Sequence, residues 1–322
     1  MVAATGVGSG LDIEGLVTQL VNAERAPAEN RLLQRETRLT SELSAFGTLQ
    51  GALSGVQSSL SSLSSLSTFN QRSAATSNSA VLTATASADA ATNNYSIEVD
   101  QLARSQSLAS GSFSELTDVV GEGELSFRFG TTSYTGADPG PESYDGFALN
   151  GDRASSSITI DSSNNTLQGV RDAINEAEIG VSAAIVNDGS GFRLLLSSQQ
   201  TGADNSIEVQ VDDTGDGGDT DTSGLSRLAF NAAAAAANGG VANLTQTVAA
   251  QDASFSINGL SLASDSNTVS EALGGVNLTL TGTTDGTPET LTVSDNSGAV
   301  RGAIEGFVNA FNNFASTAGN LT

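Results

Sequence analysis

A sustained heptad repeat constrains this chain more than any other feature. Between Leu11 and Leu66 lies the only long helical pattern in a sequence otherwise rich in Ser, Thr, Gly and Asn. In its second half Leu32, Leu39, Phe46, Leu53 and Leu60 recur every seven residues. A second row, Leu49, Val56 and Leu63, runs three residues behind, with Leu43 leading into it. Two apolar rows at that offset make a narrow seam on one helix face, the pattern of a coiled coil. A helix from Ala28 to Leu66 is roughly 58 Å long at 1.5 Å per residue. Such a helix is stabilised mainly by burying its seam, so it needs a partner. The candidate lies at the far end of the sequence, where Val300, Ile304, Phe307, Phe311 and Phe314 follow 4-3-4-3 spacing. The two segments are expected to pair, with everything between them inserted as an excursion; the bland alternative is two amphipathic helices docked separately on β-domains. A rod this long beside a partner of roughly 15–20 residues leaves seam uncovered, which predicts contacts between subunits.

The rest of the chain reads in order. Met1–Gly10 is small-residue sequence expected to be disordered in a free monomer. Ile13, Leu16, Val17, Leu20 and Val21 make an amphipathic face behind Asp12, a candidate N-cap. Pro27 is expected to break or kink the helix, giving two rods. After Ser67 the texture alternates as half-buried strands do, at Ala80–Ala86, Tyr95–Leu102, Leu125–Phe129 and Ser157–Ile160. Gly136–Gly151 holds two of the four prolines and reads as a loop. Asn165 or Thr166 can cap a helix with Leu167, Val170, Ile174 and Ala177 on one face, ended by Gly180. A hairpin follows, Val181–Val186 and Phe192–Leu196, turning at 187–191. Asp212–Gly224 is an acidic loop, and Asn231–Gly240 is a low-complexity linker or short helix. Strands return at Ala253–Ile257, Val276–Leu280 and Thr290–Val293, with a turn at Asn258-Gly259, and should rejoin the 73–108 strands.

Charge separates these regions. Residues 1–72 carry a net charge of −1 and residues 73–322 a net charge of −23, with Arg as the only basic residue type. An acidic surface of that kind repels nucleic acid and anionic lipid, so neither is expected as a partner. No run of 18 apolar residues offers a membrane span, and no apolar h-region marks a signal peptide.

His, Cys, Lys and Trp are absent. That removes Ser-His-Asp triads, Cys nucleophiles, Schiff bases and the P-loop lysine. Only carboxylate pairs remain as acid–base candidates, and a non-enzymatic protein without cofactors is expected. Gly6-Val-Gly8-Ser-Gly10 fails as a dinucleotide loop, because Leu11 stands where the third Gly belongs. The loop from Asp212 places Thr214, Asp216 and Gly217 at positions 3, 5 and 6 of a calcium loop, but Ser223 stands at position 12 in place of the bidentate Glu. A solvated acidic loop is the expectation.

Several blocks carry a resemblance. The run Gly8-Ser-Gly-Leu-Asp-Ile-Glu-Gly-Leu-Val17, followed by Glu24 and Pro27, resembles the flagellar filament cap (hook-associated cap) family. So do Asp252–Gly259, Ser266–Leu273, Gly275–Leu280, Ile304 and Phe307–Asn312, while Ala173–Ala177, Gly180-Val181 and Leu194–Ser198 look like a unit shared among flagellin and hook proteins. The resemblance implies export through the flagellar type III apparatus with an export chaperone, and an extracellular homo-oligomeric ring of about five subunits at the filament tip. It implies leg helices contacting flagellin, here Leu11, Ile13, Leu16, Val17, Leu20 and Val21, and a plate of β-rich heads. In that family the chain continues past Phe311-Asn312, so this sequence reads as a fragment or as a shortened relative, the fragment being favoured. The expected architecture is α+β and multidomain: 1–34 a terminal leg, 35–69 with 298–322 a coiled coil, 70–108 with 247–297 a β-rich head, and 109–246 a second head inserted in the first. Another flagellar junction or filament subunit, or an adhesin with an acidic glycan-binding head, are the alternatives.

Overall fold

The computed structural model describes residues 12–135, 143–215, 217–231 and 241–321. It comprises two units, Met1–Gln71 with Asn296–Thr322, and Arg72–Asp295. The Met1–Gly10 segment and Leu11 lie outside the described residues.

The first unit is helical: α1 (Ile13–Ser64), a single turn α2 (Leu66–Phe69) and, far along the chain, a 25-residue C-terminal helix (Ser297–Leu321). Asp12 caps α1, its Oδ1 accepting the Gly15 N–H at 2.9 Å. The break expected at Pro27 is absent, and the hydrogen-bonded helix runs through it for 52 residues, about 78 Å. Proline deletes one N–H, which leaves the Ala23 carbonyl to water on an exposed helix, and the flanking Ala, Glu and Arg residues are among the best helix formers. One hydrogen-bonded helix takes the place of a break at Pro27.

The second unit is β-rich and holds two hydrophobic cores. A five-stranded antiparallel sheet has the order β1 (Arg72–Thr76), β16 (Glu289–Asp295), β3 (Asn93–Gln101), β12 (Ala253–Ile257), β13 (Leu260–Ser264). A three-stranded sheet has the order β14 (Thr268–Leu273), β15 (Val276–Leu280), β2 (Leu82–Ala86). Alternate residues of both sheets enclose Leu82, Ile97, Val99, Phe255, Leu278 and Leu291. This is the period-two burial that the alternating sequence demands.

Between β3 and β12 the chain leaves this core and builds another. There β5 (Gly123–Thr135) pairs on one side with β10 (Ser206–Asp213). On its other side it pairs with β7 (Ser156–Ile160) along its first half and β6 (Ser143–Leu149) along its second. A second sheet has the order β11 (Thr245–Val248), β4 (Ser107–Ala109), β9 (Phe192–Ser198), β8 (Val181–Asn187). The strand β6 overturns the loop expected across Gly136–Gly151. Its Asp145-Gly146 hides the alternation, yet pairing with β5 satisfies backbone groups that would otherwise stand open. The remaining 136–142, like 232–240, lie outside the described residues.

Helix α3 (Leu167–Glu176) covers this second core with Leu167, Val170 and Ile174, and Thr166 caps it through Gly169 N–H. Ala177, expected on the buried face, is the exposed C-cap residue, and Ala173 packs there instead. Nor does Gly180 end the helix: the left-handed residue is Glu178, at φ 48°. Gly180, at φ 85°, lies against the Arg153 guanidinium in the left-handed region that favours glycine.

The chain crosses between the two cores at paired segments. Arg104 and Gln251 exchange backbone hydrogen bonds of 2.9 and 3.1 Å. Asn267 holds Ala103 from both sides, accepting its N–H at 2.8 Å and donating to its carbonyl at 2.9 Å.

Replacing Glu178 with Gly tests the helix terminus. The left-handed conformation costs a residue with a β-carbon about 1–2 kcal/mol, offset by the greater chain entropy of Gly, so Glu178→Gly should raise stability by about 0.5–1 kcal/mol in urea unfolding. No change, or a loss, would show that Glu178 is not strained.

Candidate functional site

The features that set this chain apart from an ordinary β-protein are its helices, and the site is built from their faces. The C-terminal helix, designated α4 in chain order (Ser297–Leu321), starts where Asn296 N–H donates to the Gln71 carbonyl at 2.9 Å. Its other end reaches back along α1, where Ala318 and Leu321 line a pocket of about 420 Å³ with Glu42, Ala45, Phe46 and Leu49. The pair is therefore antiparallel.

The residues each helix turns toward the other follow coiled-coil spacing. On α1 they are Ala45, Leu49, Ala52, Val56, Ser59 and Leu63, half-buried except for Ala52, which is 8% exposed. On α4 they are Val300, Ala303, Phe307, Ala310, Phe314 and Thr317. Large residues thus occupy the a row of both helices and small ones the d row. Alanine and serine at d let the backbones approach, and the phenylalanines of α4 fill the space that results.

The heptads expected from sequence are split by this arrangement. Leu49, Val56 and Leu63, with Val300, Phe307 and Phe314, lie in the seam. Leu32, Leu39, Phe46, Leu53 and Leu60 lie one residue beyond the small row, at e, and are all exposed, Phe46 by 70%. Ile304 and Phe311 occupy e on α4 and are also exposed, the Phe311 ring 6.4 Å from that of Phe307. In an antiparallel pair the two e rows fall on the same side, consistent with Phe46 and Ala318 lining one pocket. Leu43 and Val308, exposed at b, widen that side. The opposite flank carries Thr48, Gly55 and Ser62 on α1 and Gly306 and Asn313 on α4. The helix pair has one apolar flank and one polar flank.

Ile13, Leu16, Val17, Leu20 and Val21 are exposed along the first turns of α1. The row missed in the sequence is the small one, Ala45, Ala52 and Ser59 with Ala303, Ala310 and Thr317. Its signal was a seven-residue recurrence of small residues, which counting large apolar side chains passes over.

The head offers little that could do chemistry. Among the described residues no three His, Cys, Asp or Glu side chains gather as a metal site. Asp216 of the acidic loop lies outside them. Asp213, buried, organises the loop: Oδ1 accepts the Gly215 N–H at 2.9 Å and Oδ2 those of Leu225 and Ser226 at 2.6 and 3.2 Å. Glu208 is buried beside Arg128, whose Nε donates to Oε2 at 2.6 Å. Burial pushes the Glu208 carboxyl above its ordinary range and the Arg128 guanidinium opposes that shift. A single buried acid held by one arginine is the arrangement of a structural ion pair.

Comparisons with known proteins converge on one family. The model described as flagellar hook-associated protein 2 N-terminus matches residues 9–106, and its C-terminus counterpart matches residues 250–322. The B-type flagellar hook-associated protein 2 of Pseudomonas aeruginosa PAO1 is 37% identical over 310 residues, covering 95% of this chain and 60% of that protein. Flagellar hook-associated protein 2 of Escherichia coli K12 is 32% identical over 325 residues, covering 100% of this chain and 62% of that protein. The chain thus spans about three fifths of these relatives. Among solved structures, the D1-D2-D3 domains of the flagellar cap protein FliD from Escherichia coli superpose with a TM-score of 0.68 at 31% identity, over 87% of this chain and 70% of that one. FliD (HAP2) from Pseudomonas aeruginosa PAO1 gives 0.56 at 32% identity, over 75% and 96%.

Two substitutions separate the buried row from the exposed one. Ala52→Leu forces the backbones apart and should destabilise the helix pair by about 1–3 kcal/mol. Phe46→Ala, on the open flank, should change the stability of a monomer by less than about 0.5 kcal/mol. Circular dichroism melts of dilute protein check both, and equal losses would contradict this assignment of rows. In the head, Asp213→Ala leaves the buried N–H groups of Leu225 and Ser226 without their acceptor and should cost about 2–3 kcal/mol in the same measurement.

Proposed function

The chain belongs to the flagellar hook-associated protein 2 family, and from that premise we propose that it caps the distal tip of the flagellar filament and promotes the insertion of flagellin. The role is one of binding and shape, with no bond made or broken by the protein. The observation that carries this reading is the apolar flank of the helix pair, Leu32 to Leu60 with Ile304 and Phe311. Burying seven half-exposed side chains is worth on the order of 7 kcal/mol gross, enough to drive assembly once the helices meet further helices.

In this reading residues 1–34 are the terminal leg, with Leu11, Ile13, Leu16, Val17, Leu20 and Val21 facing flagellin. Residues 35–69 and 298–322 form the coiled coil through which subunits associate into a ring of about five. Residues 70–108 with 247–297, and the inserted 109–246, form the two-part head of a cap plate outside the cell. Export through the flagellar type III apparatus with a dedicated chaperone fits a chain without cysteine, since no disulfide must be made or undone in passage.

Deleting the gene from its host and restoring it in full tests the proposal. Loss should release unpolymerised flagellin into the medium and leave short filaments or none; restoration should reverse both. Exchanging Leu39, Phe46 and Leu53 together for Ser in the restored gene should leave the melting of the β-unit unchanged and still fail to rescue filaments. Normal filaments in the deletion strain would sink the reading, and full rescue by the triple variant would remove the flank from it.

A further inference from the structure

The five-stranded sheet of the head ends on β13, Leu260-Ser-Leu-Ala-Ser264, a strand with neither charge nor proline. Edge strands in soluble proteins are usually blunted by one or the other, because their open N–H and C=O groups template pairing with another chain. The register shows which groups are open. β12 and β13 pair Ile257 with Leu260, Phe255 with Leu262 and Ala253 with Ser264. They join through the two-residue turn Asn258-Gly259, at φ 51° and 81°. In a two-residue hairpin the closing pair is hydrogen-bonded and the bonded pairs then alternate, so 260, 262 and 264 bond inward. Ser261 and Ala263, both exposed, turn their backbone groups to the free edge.

We propose that β13 pairs with β13 of a second copy of this chain, antiparallel about a two-fold axis through Leu262. In that register Ser261 lies opposite the partner subunit's Ala263, and the two exchange both hydrogen bonds. Ala263 does the same with the partner's Ser261. Every open group on the edge is satisfied, because the only outward residues are two apart and centred on the axis. Leu262 meets its own copy in a close, non-hydrogen-bonded pair.

Three observations select a second copy over a foreign strand. The edge is complementary to itself. The chain carries a net charge of −24, yet this strand carries none, so copies can meet here without opposed charges. The same register sets Asp265 opposite the partner subunit's Gly259, not opposite another carboxylate. It also directs the partner's Asn258-Gly259 turn to Asp265 and Ser266, which line an open pocket of about 380 Å³ with Gln199, Gln200, Thr201 and Asn205. The space around Gly259 is open, so the turn is free to enter. A two-fold contact cannot repeat between neighbours of one ring, so it joins subunits of separate rings or free subunits; it uses no part of the helical flank, and its failure leaves the filament-tip reading intact.

The chain has no cysteine, so one introduced thiol reads the register directly. Under mild oxidation Leu262→Cys, which faces itself across the axis, should form a disulfide dimer. Leu260→Cys, opposite Ser264, should do so at least 10-fold less. Adding Ala263→Pro to Leu262→Cys should lower the yield at least 10-fold with an unchanged melt, since the monomer makes no use of that N–H. Ser261→Glu in the same background should act likewise if the proline disturbs folding. Equal cross-linking at 260 and 262, or an unchanged yield in a folded Ala263→Pro or Ser261→Glu variant, overturns the proposal.

Discussion

The close approach of α1 and α4 rests on a row of small side chains. Ala45, Ala52 and Ser59 share the seam with Phe307 and Phe314 of the antiparallel helix, small side chains leaving room for large ones. The consequence is geometric. Because the seam takes the small row and the Leu49 row, the Leu32 row is turned aside by one residue, about 100° of helix rotation. A two-helix hairpin can bury one stripe of each helix, and a sequence that writes three stripes commits the third to something else. Packing within the pair and the unfilled flank are one fact.

The head solves a different problem, which is how to attach a second core. The chain leaves between β3 and β12, adjacent strands of one sheet, so the two crossing segments emerge side by side. Arg104 and Gln251 pair there as a short continuation of the ladder. Asn267, from the loop ahead of β14, clamps Ala103 on both sides, and Asp252 accepts the Ala203 N–H at 2.8 Å. These are side chain-to-backbone bonds between segments remote in sequence, and each satisfies a group that a simple linker would leave to water. The two cores stay apart in composition but are tied at their neck.

Much of this was legible in the sequence because the signals were strong and local. The heptad gave the long helix, the Thr166 cap with Leu167, Val170 and Ile174 gave α3, and alternation gave β2, β3, β7, β9, β12, β15 and β16 to within a few residues. What stayed hidden has physical reasons. β6 reads Ser-Tyr-Asp-Gly-Phe-Ala-Leu and becomes a strand only because β5 is long enough to need a neighbour. β4 is three residues long, too short for any period to show. Pro27 follows a rule about lost hydrogen bonds that an exposed helix in water escapes. The seam was misplaced by one residue because large apolar side chains mark where burial is worth most, whereas small ones mark where two backbones can approach.

The distribution of charge then gives the faces their meaning. Residues 1–72 are nearly neutral and the remainder holds a net charge of −23. At physiological salt such charges are screened beyond about 8 Å, so they act only on surfaces that are already close. Heads meeting at random would bring carboxylates within that range and separate again. Surfaces without charge escape the penalty; the Leu32–Leu60 row of α1 and the β13 edge are among them, as are the edge strands β2, β8 and β11. An acidic head therefore does more than keep the protein dispersed. It disfavours contacts between heads, so that uncharged strips are where two copies can meet at the least electrostatic cost.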